Sequence, residues 1–212
     1  MRKVFREILQ TILLAIILFA GLQAMVQNFR IEGSSMAPTL QDGQYLLVNK
    51  LVHHRLDMGR LARYLPFIGA ESGETVYLFH PPERGEVIVF NFPKEPSRNF
   101  VKRVIAIPGD AVELRDCGVY INDKLLEEPY IEAARERPAA LSGDDTFGEG
   151  LNVLDPPRCN LDKRTMLTDE YFVLGDNRPS SNDSRSWGVL PVGNIVGRVW
   201  ILYWPFSEMN LF

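Results

Sequence analysis

Apolar residues form one long stretch near the start of the chain and only short runs after it. Between Ile8 and Val26 the polar residues are Gln10, Thr11 and Gln23. A helix over this stretch is about 28 Å long, close to the thickness of a bilayer core. The pattern therefore predicts a transmembrane helix.

Charged residues around this stretch indicate how it crosses the membrane. Arg2, Lys3 and Arg6 precede it, and an excess of lysine and arginine marks the cytoplasmic side. Glu7 adjoins them and Arg30 follows the stretch, but the excess before it remains. We expect a cytoplasmic N-terminus and an exported remainder.

A cleavable signal peptide is the alternative interpretation, because it too has a basic start and an apolar run. This run is long, and Leu22-Gln23-Ala24 lacks a small residue two positions before a cut after Ala24. A retained anchor is favoured. We expect residues 1–30 to hold the cytoplasmic N-terminus and the anchor, and residues 31–212 to form a domain in the periplasm or on the cell exterior.

The remaining apolar runs are short, rich in β-branched and aromatic residues, and bounded by turn formers. They predict strands at 45–50, 87–92, 100–107, 112–114, 119–121, 171–174 and 195–204. Asn122-Asp123 is a predicted turn. The fold class that follows is mainly β, an antiparallel β domain behind a single N-terminal transmembrane helix.

Two stretches interrupt this rhythm. Residues 53–82 are mixed and punctuated by Gly and Pro, and residues 133–169 are rich in Pro, Gly, Asp and Glu. Both are predicted as irregular insertions in the β core, the second as a small β extension or a mobile loop.

Composition narrows the functional classes. The chain has 212 residues, 46% hydrophobic and 24% charged, as in ordinary folded proteins. Its net charge of −4 argues against nucleic-acid binding, which needs an excess of Lys and Arg. Cys117 and Cys159 lack the spacing of zinc ligands, and a disulfide between them requires an oxidising compartment, so their pairing stays open. We expect no metal and no cofactor.

Two adjacent serines, Ser34 and Ser35, lie in a constrained segment soon after the apolar stretch. Gly33 allows backbone conformations closed to other residues, and Pro38 restricts itself and the residue before it. Such a segment can present a nucleophile. It can also be simply a loop that leaves the anchor.

A serine nucleophile needs a base, which is usually histidine. His53, His54 and His80 have no recognisable triad setting. Lys102 is the other candidate. In an extended strand it shares one face with the apolar residues Phe100, Val104 and Ala106. Burial among such residues lowers the pKa of a lysine. The alternative role of Lys102 is that of a charge that keeps an edge strand soluble.

A third polar group lies between residues 175 and 188. In an extended backbone Ser181, Asp183 and Arg185 share one face. Asp183 and Arg185 can then form an ion pair, and Ser181 can hydrogen-bond an amine such as that of Lys102. A turn whose polar side chains satisfy only the local backbone is the alternative.

Four ordered motifs follow the apolar stretch: Ser-Met-Ala-Pro-Thr-Leu at 35–40, Arg-Gly-Glu-Val-Ile-Val-Phe at 84–90, Val-Lys-Arg-Val-Ile-Ala-Ile-Pro-Gly-Asp at 101–110, and Gly-Asp-Asn-Arg, Ser-x-Asp-Ser-Arg and Trp-Gly between 175 and 188. Together they resemble the bacterial type I signal peptidases, membrane-bound serine endopeptidases with a Ser/Lys dyad. The joint order and spacing make this resemblance specific.

The resemblance implies roles for individual residues. Ser35, which precedes Met36, matches the nucleophile, and Lys102 matches the general base. The main-chain N–H of Ser35 is implied as an oxyanion donor, whereas Gly33 replaces a serine that supplies a second donor in some members. The supporting positions, a serine bonded to the lysine and a pair that braces the site, are Ser181, Asp183 and Arg185.

The resemblance further implies a catalytic domain on the outer face of the membrane that cuts signal peptides from exported preproteins after a small residue. Its partners are then exported preproteins and membrane lipid, and we expect a monomer. An extended substrate can add to a strand edge, for which residues 87–92 are the candidate. Four aromatic residues contact the membrane interface or, as we favour, pack as a C-terminal strand: Trp200, Tyr203, Trp204 and Phe206.

Two alternatives stay open. A self-cleaving repressor shares the dyad, but the apolar N-terminus and the negative charge disfavour it. A membrane-tethered, non-catalytic β module would bind peptides without cutting them, and substitution of Ser35 distinguishes it from a peptidase.

Overall fold

The apolar stretch forms one long helix, α1 (Arg2–Met25). In this computed structural model, which describes residues 2–58, 63, 75–131 and 159–212, apolar side chains along the helix lie exposed. The helix is long and apolar enough to cross a membrane. It ends at Met25, before our domain boundary at residue 30, because the next residues pair as a strand.

Strands form most of the regular structure in the rest of the described chain. The first seven are β1 (Val26–Arg30), β2 (Tyr45–Asn49), β3 (Arg55–Asp57), β4 (Thr75–Tyr77), β5 (Val87–Phe92), β6 (Glu95–Ala106) and β7 (Ala111–Arg115). The others are β8 (Gly118–Ile121), β9 (Lys124–Leu125), β10 (Leu161–Thr165), β11 (Glu170–Leu174), β12 (Leu190–Pro191), β13 (Ile195–Trp204) and β14 (Asn210–Leu211). A one-turn helix, α2 (Ser184–Trp187), precedes β12.

The main sheet has the order β1-β2-β13-β5-β6-β11-β12, with β14 paired to β13. A smaller sheet has the order β10-β7-β8-β9, and β3 pairs with β4 as a separate ribbon. Every strand pairing among the described residues is antiparallel. The predicted mainly β, antiparallel fold class is confirmed.

A hydrophobic cluster lies beneath the segment that carries the two serines. Met36 and Leu40 are 2% and 0% exposed. They belong to one cluster with buried residues of β2, β5 and β13: Leu46, Val48, Val87, Val89, Val199 and Leu202. Because each such side chain contributes roughly 1.5–3 kcal/mol on burial, the serine segment is held firmly against the main sheet.

The predicted strands are found, with differences at their ends. β6 begins at Glu95, before the predicted start at residue 100, and contains Pro96. Proline is tolerated there because the register between β6 and β11 begins only at Arg103, so the first half of β6 pairs on one side. The predicted turn at Asn122-Asp123 is confirmed, since both residues have positive φ between β8 and β9.

The prediction that residues 87–92 form a sheet edge is wrong. β5 lies between β13 and β6 and pairs with both. Its side chains are buried except for that of Asn91, which is partly exposed, as the apolar run Val87–Phe92 suits an interior strand. Among the described residues an open edge is found instead along the first half of β6, which pairs with β5 on one side only.

The predicted insertions are described only in part. The ends of 53–82 include β3 and β4, which pair with one another. Within 133–169, residues 133–158 lie outside the described residues, and the following part includes β10, which pairs with β7 as a small β extension. Cys117 and Cys159 are joined as a disulfide, and the Cys117 N–H donates to the Cys159 carbonyl oxygen at 2.9 Å.

Three of the four C-terminal aromatic residues, Trp200, Tyr203 and Trp204, belong to an interior strand, and Phe206 follows it. β13 pairs with β2 on one side and with β5 on the other, so its backbone forms a packed strand, as we favoured. Trp200 and Trp204 are nevertheless each 47% exposed, and Phe206 is 70% exposed.

Candidate active site

The serine segment, residues 33–40, consists of consecutive turns rather than a helix or strand. Gly33 has a φ of 98°, in the region that favours glycine, and its N–H donates to Asp42 Oδ1 at 2.8 Å. The Ala37 N–H donates to the Ser34 carbonyl oxygen at 3.0 Å. With Met36 buried below, these bonds hold Ser35 in an irregular, constrained backbone, as predicted.

Lys102 on β6 meets this segment. Its Nζ lies 2.6 Å from Ser35 Oγ and 2.9 Å from the Val101 carbonyl oxygen. Ser34 is exposed and its side chain makes no such contact among the described residues. The structure thus brings Lys102 to Ser35, the serine that the motif match selected.

Lys102 is buried, with 4% of its surface exposed. Burial lowers the pKa of Lys102 from 10.5 to about 8, against the opposing charges of Asp183 and Asp176, while the charge of Arg185 adds to the lowering. The ring of Phe100 lies 5.5 Å from Nζ. With this pKa about a tenth of the Lys102 amine is neutral at pH 7 and about half at pH 8.

Asp183 and Arg185 form the predicted ion pair, but not on an extended backbone. Arg185 Nε and Nη2 each donate to the Asp183 carboxylate at 2.8 Å, and both side chains are almost fully buried. Asp183 is the N-cap of α2 and accepts the Arg185 N–H at 3.2 Å. It also accepts the Gly175 N–H at 3.1 Å, so one carboxylate links α2 to the end of β11.

The predicted hydrogen bond between Ser181 and Lys102 is not formed. Ser181 Oγ is buried and has no hydrogen-bond partner among the described residues, because Lys102 Nζ is directed at Ser35 and Val101. Ser181 instead packs against Gly175, where an added Cβ would clash with Ser181 Oγ and with the Ser35 carbonyl oxygen. Ser181 is beside the site, and its role stays a prediction.

Comparison with known proteins identifies the family of this chain. The family model described as signal peptidase, peptidase S26, matches residues 3–204. The chain belongs to the signal peptidase S26 family.

Relatives in this family match almost the full chain. Signal peptidase IB of Staphylococcus aureus (strain Mu50 / ATCC 700699) is 35% identical over 99% of this chain and 95% of its own length. Signal peptidase I of Bacillus caldolyticus is 34% identical over 92% of this chain and 88% of its own length. A crystal structure of a signal peptidase I from Enterococcus faecalis V583 shares 32% identity and covers 57% of this chain and 97% of its own, with a TM-score of 0.42.

As a member of the S26 family the chain is a peptidase. In this S26 peptidase no histidine contact recorded among the described residues involves the serine segment. His53 and His80 contact one another, with ring centroids 5.3 Å apart, and neither hydrogen-bonds Ser35.

Sequence reasoning missed a second buried ion pair in this S26 peptidase. Arg103 Nε and Nη2 donate to the Asp176 carboxylate at 2.9 and 2.6 Å, and Arg103 Nη1 donates to the Gly85 carbonyl oxygen at 2.8 Å. The Tyr130 ring lies 4.1 Å from the guanidinium carbon. Both residues lie in the sequence motifs, which was the one available sign of their importance. Because they are 73 positions apart, the sequence did not indicate that they pair.

Asn177 was also missed. Its Nδ2 donates to the Ser34 carbonyl oxygen and its N–H donates to the Ser35 carbonyl oxygen, both at 3.1 Å. The Gly-Asp-Asn-Arg turn is thereby fastened directly to the serine segment.

Proposed function

We propose that this chain is a membrane-bound serine endopeptidase that removes N-terminal signal peptides from exported preproteins after a small residue, with Ser35 as nucleophile and Lys102 as general base. The observation that carries the proposal is the 2.6 Å contact between Lys102 Nζ and Ser35 Oγ in a buried setting. The names of the relatives, signal peptidases I and IB, supply the substrate class.

The neutral amine of Lys102 starts the reaction. Its lone pair takes the Ser35 hydroxyl proton while Oγ attacks the scissile carbonyl carbon, which forms a tetrahedral intermediate. When this intermediate collapses, the C–N bond breaks and the Lys102 ammonium returns its proton to the leaving amine. The product is an ester between Ser35 and the signal peptide.

The same lysine then activates water. Neutral Lys102 removes a proton from a water molecule that attacks the ester carbonyl carbon, and the protonated lysine returns a proton to Ser35 Oγ as the acyl bond breaks. One lysine thus serves as base and acid in each half of the reaction, which suits a pKa of about 8.

The negative oxygen of both intermediates needs hydrogen-bond donors. Among the described residues no acceptor bonds the Ser35 N–H, which supports its proposed role as one donor. The Gly33 N–H is already bonded to Asp42 Oδ1 at 2.8 Å, so it is not the second donor in this geometry.

The open edge of β6 suits an extended substrate. Residues of β6 before Arg103 pair with β5 on one side, and no described strand pairs with them on the other. Lys102 lies at the point where this open stretch ends. A peptide added there by main-chain hydrogen bonds would place its last residues beside the Ser35 hydroxyl, and the fit of its alternate side chains against the domain would select small residues.

The anchor would hold this site at the membrane. We propose a cytoplasmic N-terminus, a single crossing by α1, and the β domain on the outer face, acting as a monomer. The substrate carries its own apolar segment in the same bilayer, so anchoring raises its effective concentration at the site.

The test is cleavage of a preprotein by the purified full-length chain in detergent. Wild type should release the signal peptide, and folded Ser35→Ala and Lys102→Ala variants should lose at least about a thousandfold in activity. Ser34→Ala is the matched control and should retain activity.

Cleavage by the Lys102→Ala variant would show that the base is misassigned. Binding of the preprotein without cleavage by wild type would instead favour the tethered peptide-binding module.

A further inference from the structure

A second cluster of titratable side chains lies between the β3–β4 ribbon and the start of β5. His53, His80 and Glu86 each offer a ligating atom, and these atoms lie within 4.8 Å of one another. The side chains of His53 and Glu86 are 3% and 8% exposed. The proposed peptidase mechanism uses none of these three residues.

Hydrogen bonds set the tautomers of both rings. His53 Nδ1 lies 3.2 Å from the His80 carbonyl oxygen, and His80 Nδ1 lies 2.8 Å from the Pro81 carbonyl oxygen. A carbonyl oxygen only accepts, so each Nδ1 carries a proton, and in the neutral ring Nε2 keeps a lone pair for a cation. A backbone carbonyl bonded to the distal ring N–H is the usual support of a metal-binding histidine.

His53 Nε2 is buried and has no hydrogen-bond partner among the described residues. Glu86 Oε2 lies only 3.1 Å from it, which satisfies the distance of an ion pair but not the orientation of a hydrogen bond. Two electron-rich atoms this close, away from water, need a positive charge between them, which either a proton on Nε2 or a bound cation supplies. Zinc bonds of about 2.0–2.2 Å in a tetrahedron put neighbouring ligand atoms about 3.3 Å apart, close to the 3.1 Å between His53 Nε2 and Glu86 Oε2. The ligand atom of His80 lies within 4.8 Å of both.

Glu86 is held as a metal ligand should be. Its Oε1 lies 3.1 Å from Arg198 Nη1, and its Oε2 accepts the Glu83 N–H at 3.0 Å. The Glu83 N–H and the Arg198 guanidinium thus hold the carboxylate through both of its oxygens. Arg198 orients the carboxylate through the oxygen that faces away from His53.

We propose that His53, His80 and Glu86 form a binding site for a divalent transition-metal ion, zinc being the best fit, separate from the Ser35 and Lys102 site. Two imidazoles and one carboxylate leave a fourth position for water, and zinc accepts this ligand set. The His80 side chain is 32% exposed and gives the ion an entry path. The bound ion would fasten the chain before and after the β3–β4 ribbon to the main sheet.

This site departs from our expectation of no metal. That expectation rested on cysteine spacing and on the absence of known motifs. His53 and His80 are 27 positions apart, and only the fold brings them together with Glu86.

The test uses tag-free, full-length Ser35→Ala protein in detergent, stripped with a chelator and titrated with zinc chloride against a chromophoric chelator. We expect one zinc ion per chain. His80→Gln and Glu86→Gln in this background should bind at least about tenfold more weakly. His54→Gln is the matched control, because His54 is exposed and adjacent to the site without belonging to it, and it should bind as the parent does.

Two further measurements make the result independent of activity. Zinc should raise the Tm of the parent and of His54→Gln but not of His80→Gln. Cobalt(II) should give the visible absorption of a four-coordinate site in the same two proteins. The proposal is overturned if the parent binds no zinc, or if His80→Gln and His54→Gln bind it equally. Because all variants lack the proposed nucleophile, failure of the peptidase proposal would leave this result unchanged.

Discussion

Lys102 Nζ lies 2.6 Å from Ser35 Oγ although the two residues are 67 positions apart. The contact forms because the serine segment, anchored by buried Met36, closes over the point on β6 where Lys102 lies. The same closure removes the amine from water, so one packing event both brings Lys102 to Ser35 and lowers the pKa of Lys102.

The first prediction concerns the pH dependence of cleavage. Lys102 must be neutral to accept a proton, and burial lowers its pKa to about 8, so kcat/KM should rise with pH and level off above about 8. The measurement is kcat/KM from about pH 6 to about pH 10 with a substrate that has no group titrating in that range. A flat profile would exclude Lys102 as the base.

The second prediction concerns Asp183→Asn. The negative charge of Asp183 favours the ammonium form of Lys102, so its removal should lower the pKa of Lys102 and move the rise in kcat/KM to lower pH. Breaking the buried pair with Arg185 should also cost about 3–5 kcal/mol of stability. Asp123→Asn is the control, because Asp123 is exposed and should leave the pH profile in place. An unchanged profile in folded Asp183→Asn would contradict this coupling.

The third prediction concerns stability and the sign of its pH dependence. The pKa of Lys102 is about 8 in the folded chain and 10.5 ordinarily, so between these values the unfolded chain binds more protons and stability rises with pH. Lys102→Met removes this dependence while it keeps the apolar stem. The free energy of unfolding of wild type relative to Lys102→Met should therefore be lowest below about pH 8 and recover by up to about 3 kcal/mol above about pH 10.5.

Urea unfolding of both proteins at matched pH values checks this prediction. A difference that stays constant, or that grows with pH in favour of Lys102→Met, would mean that Lys102 is not buried as an amine.

The fourth prediction concerns Gly175. A methyl group at this position would clash with Ser181 Oγ and the Ser35 carbonyl oxygen, so Gly175→Ala should cost about 1–3 kcal/mol and lower kcat/KM by displacing Ser35. Gly193→Ala is the control, since nothing lies within 4 Å of its added Cβ, and it should change stability by less than about 0.5 kcal/mol. Thermal unfolding and cleavage assays of both variants give the comparison, and equal effects would contradict the close approach of residue 175 to the site.

Local patterns were sufficient where one stretch of chain determines its own structure. The long apolar run predicted α1, and β-branched runs between turn formers predicted the strands, because hydrophobic periodicity and turn chemistry act over a few residues. The motifs selected Ser35 and Lys102 correctly as the pair that meets. They also named Asp183 and Arg185, although the extended backbone assumed for them is replaced by the cap of α2.

Local patterns could not predict which strands lie at a sheet edge or which distant segments come into contact. Residues 87–92 were predicted as a sheet edge, but β13 pairs with one side of this strand and β6 with the other. The order of strands in a sheet is set by pairings between segments far apart in the chain. The predicted bond from Ser181 failed for a similar reason, because the direction of Lys102 Nζ depends on which acceptors the fold places around it.

The sequence by itself determined the long apolar helix, the β class and the family, and it selected Ser35 and Lys102 as the proposed nucleophile and base, because each follows from local composition or from ordered motifs. Only the tertiary structure decided that β6 carries the open edge, that Arg103 pairs with Asp176, and that two histidines converge on Glu86. These features arise from burial and pairing between segments many residues apart, and their free energies depend on neighbours that no single stretch of sequence specifies.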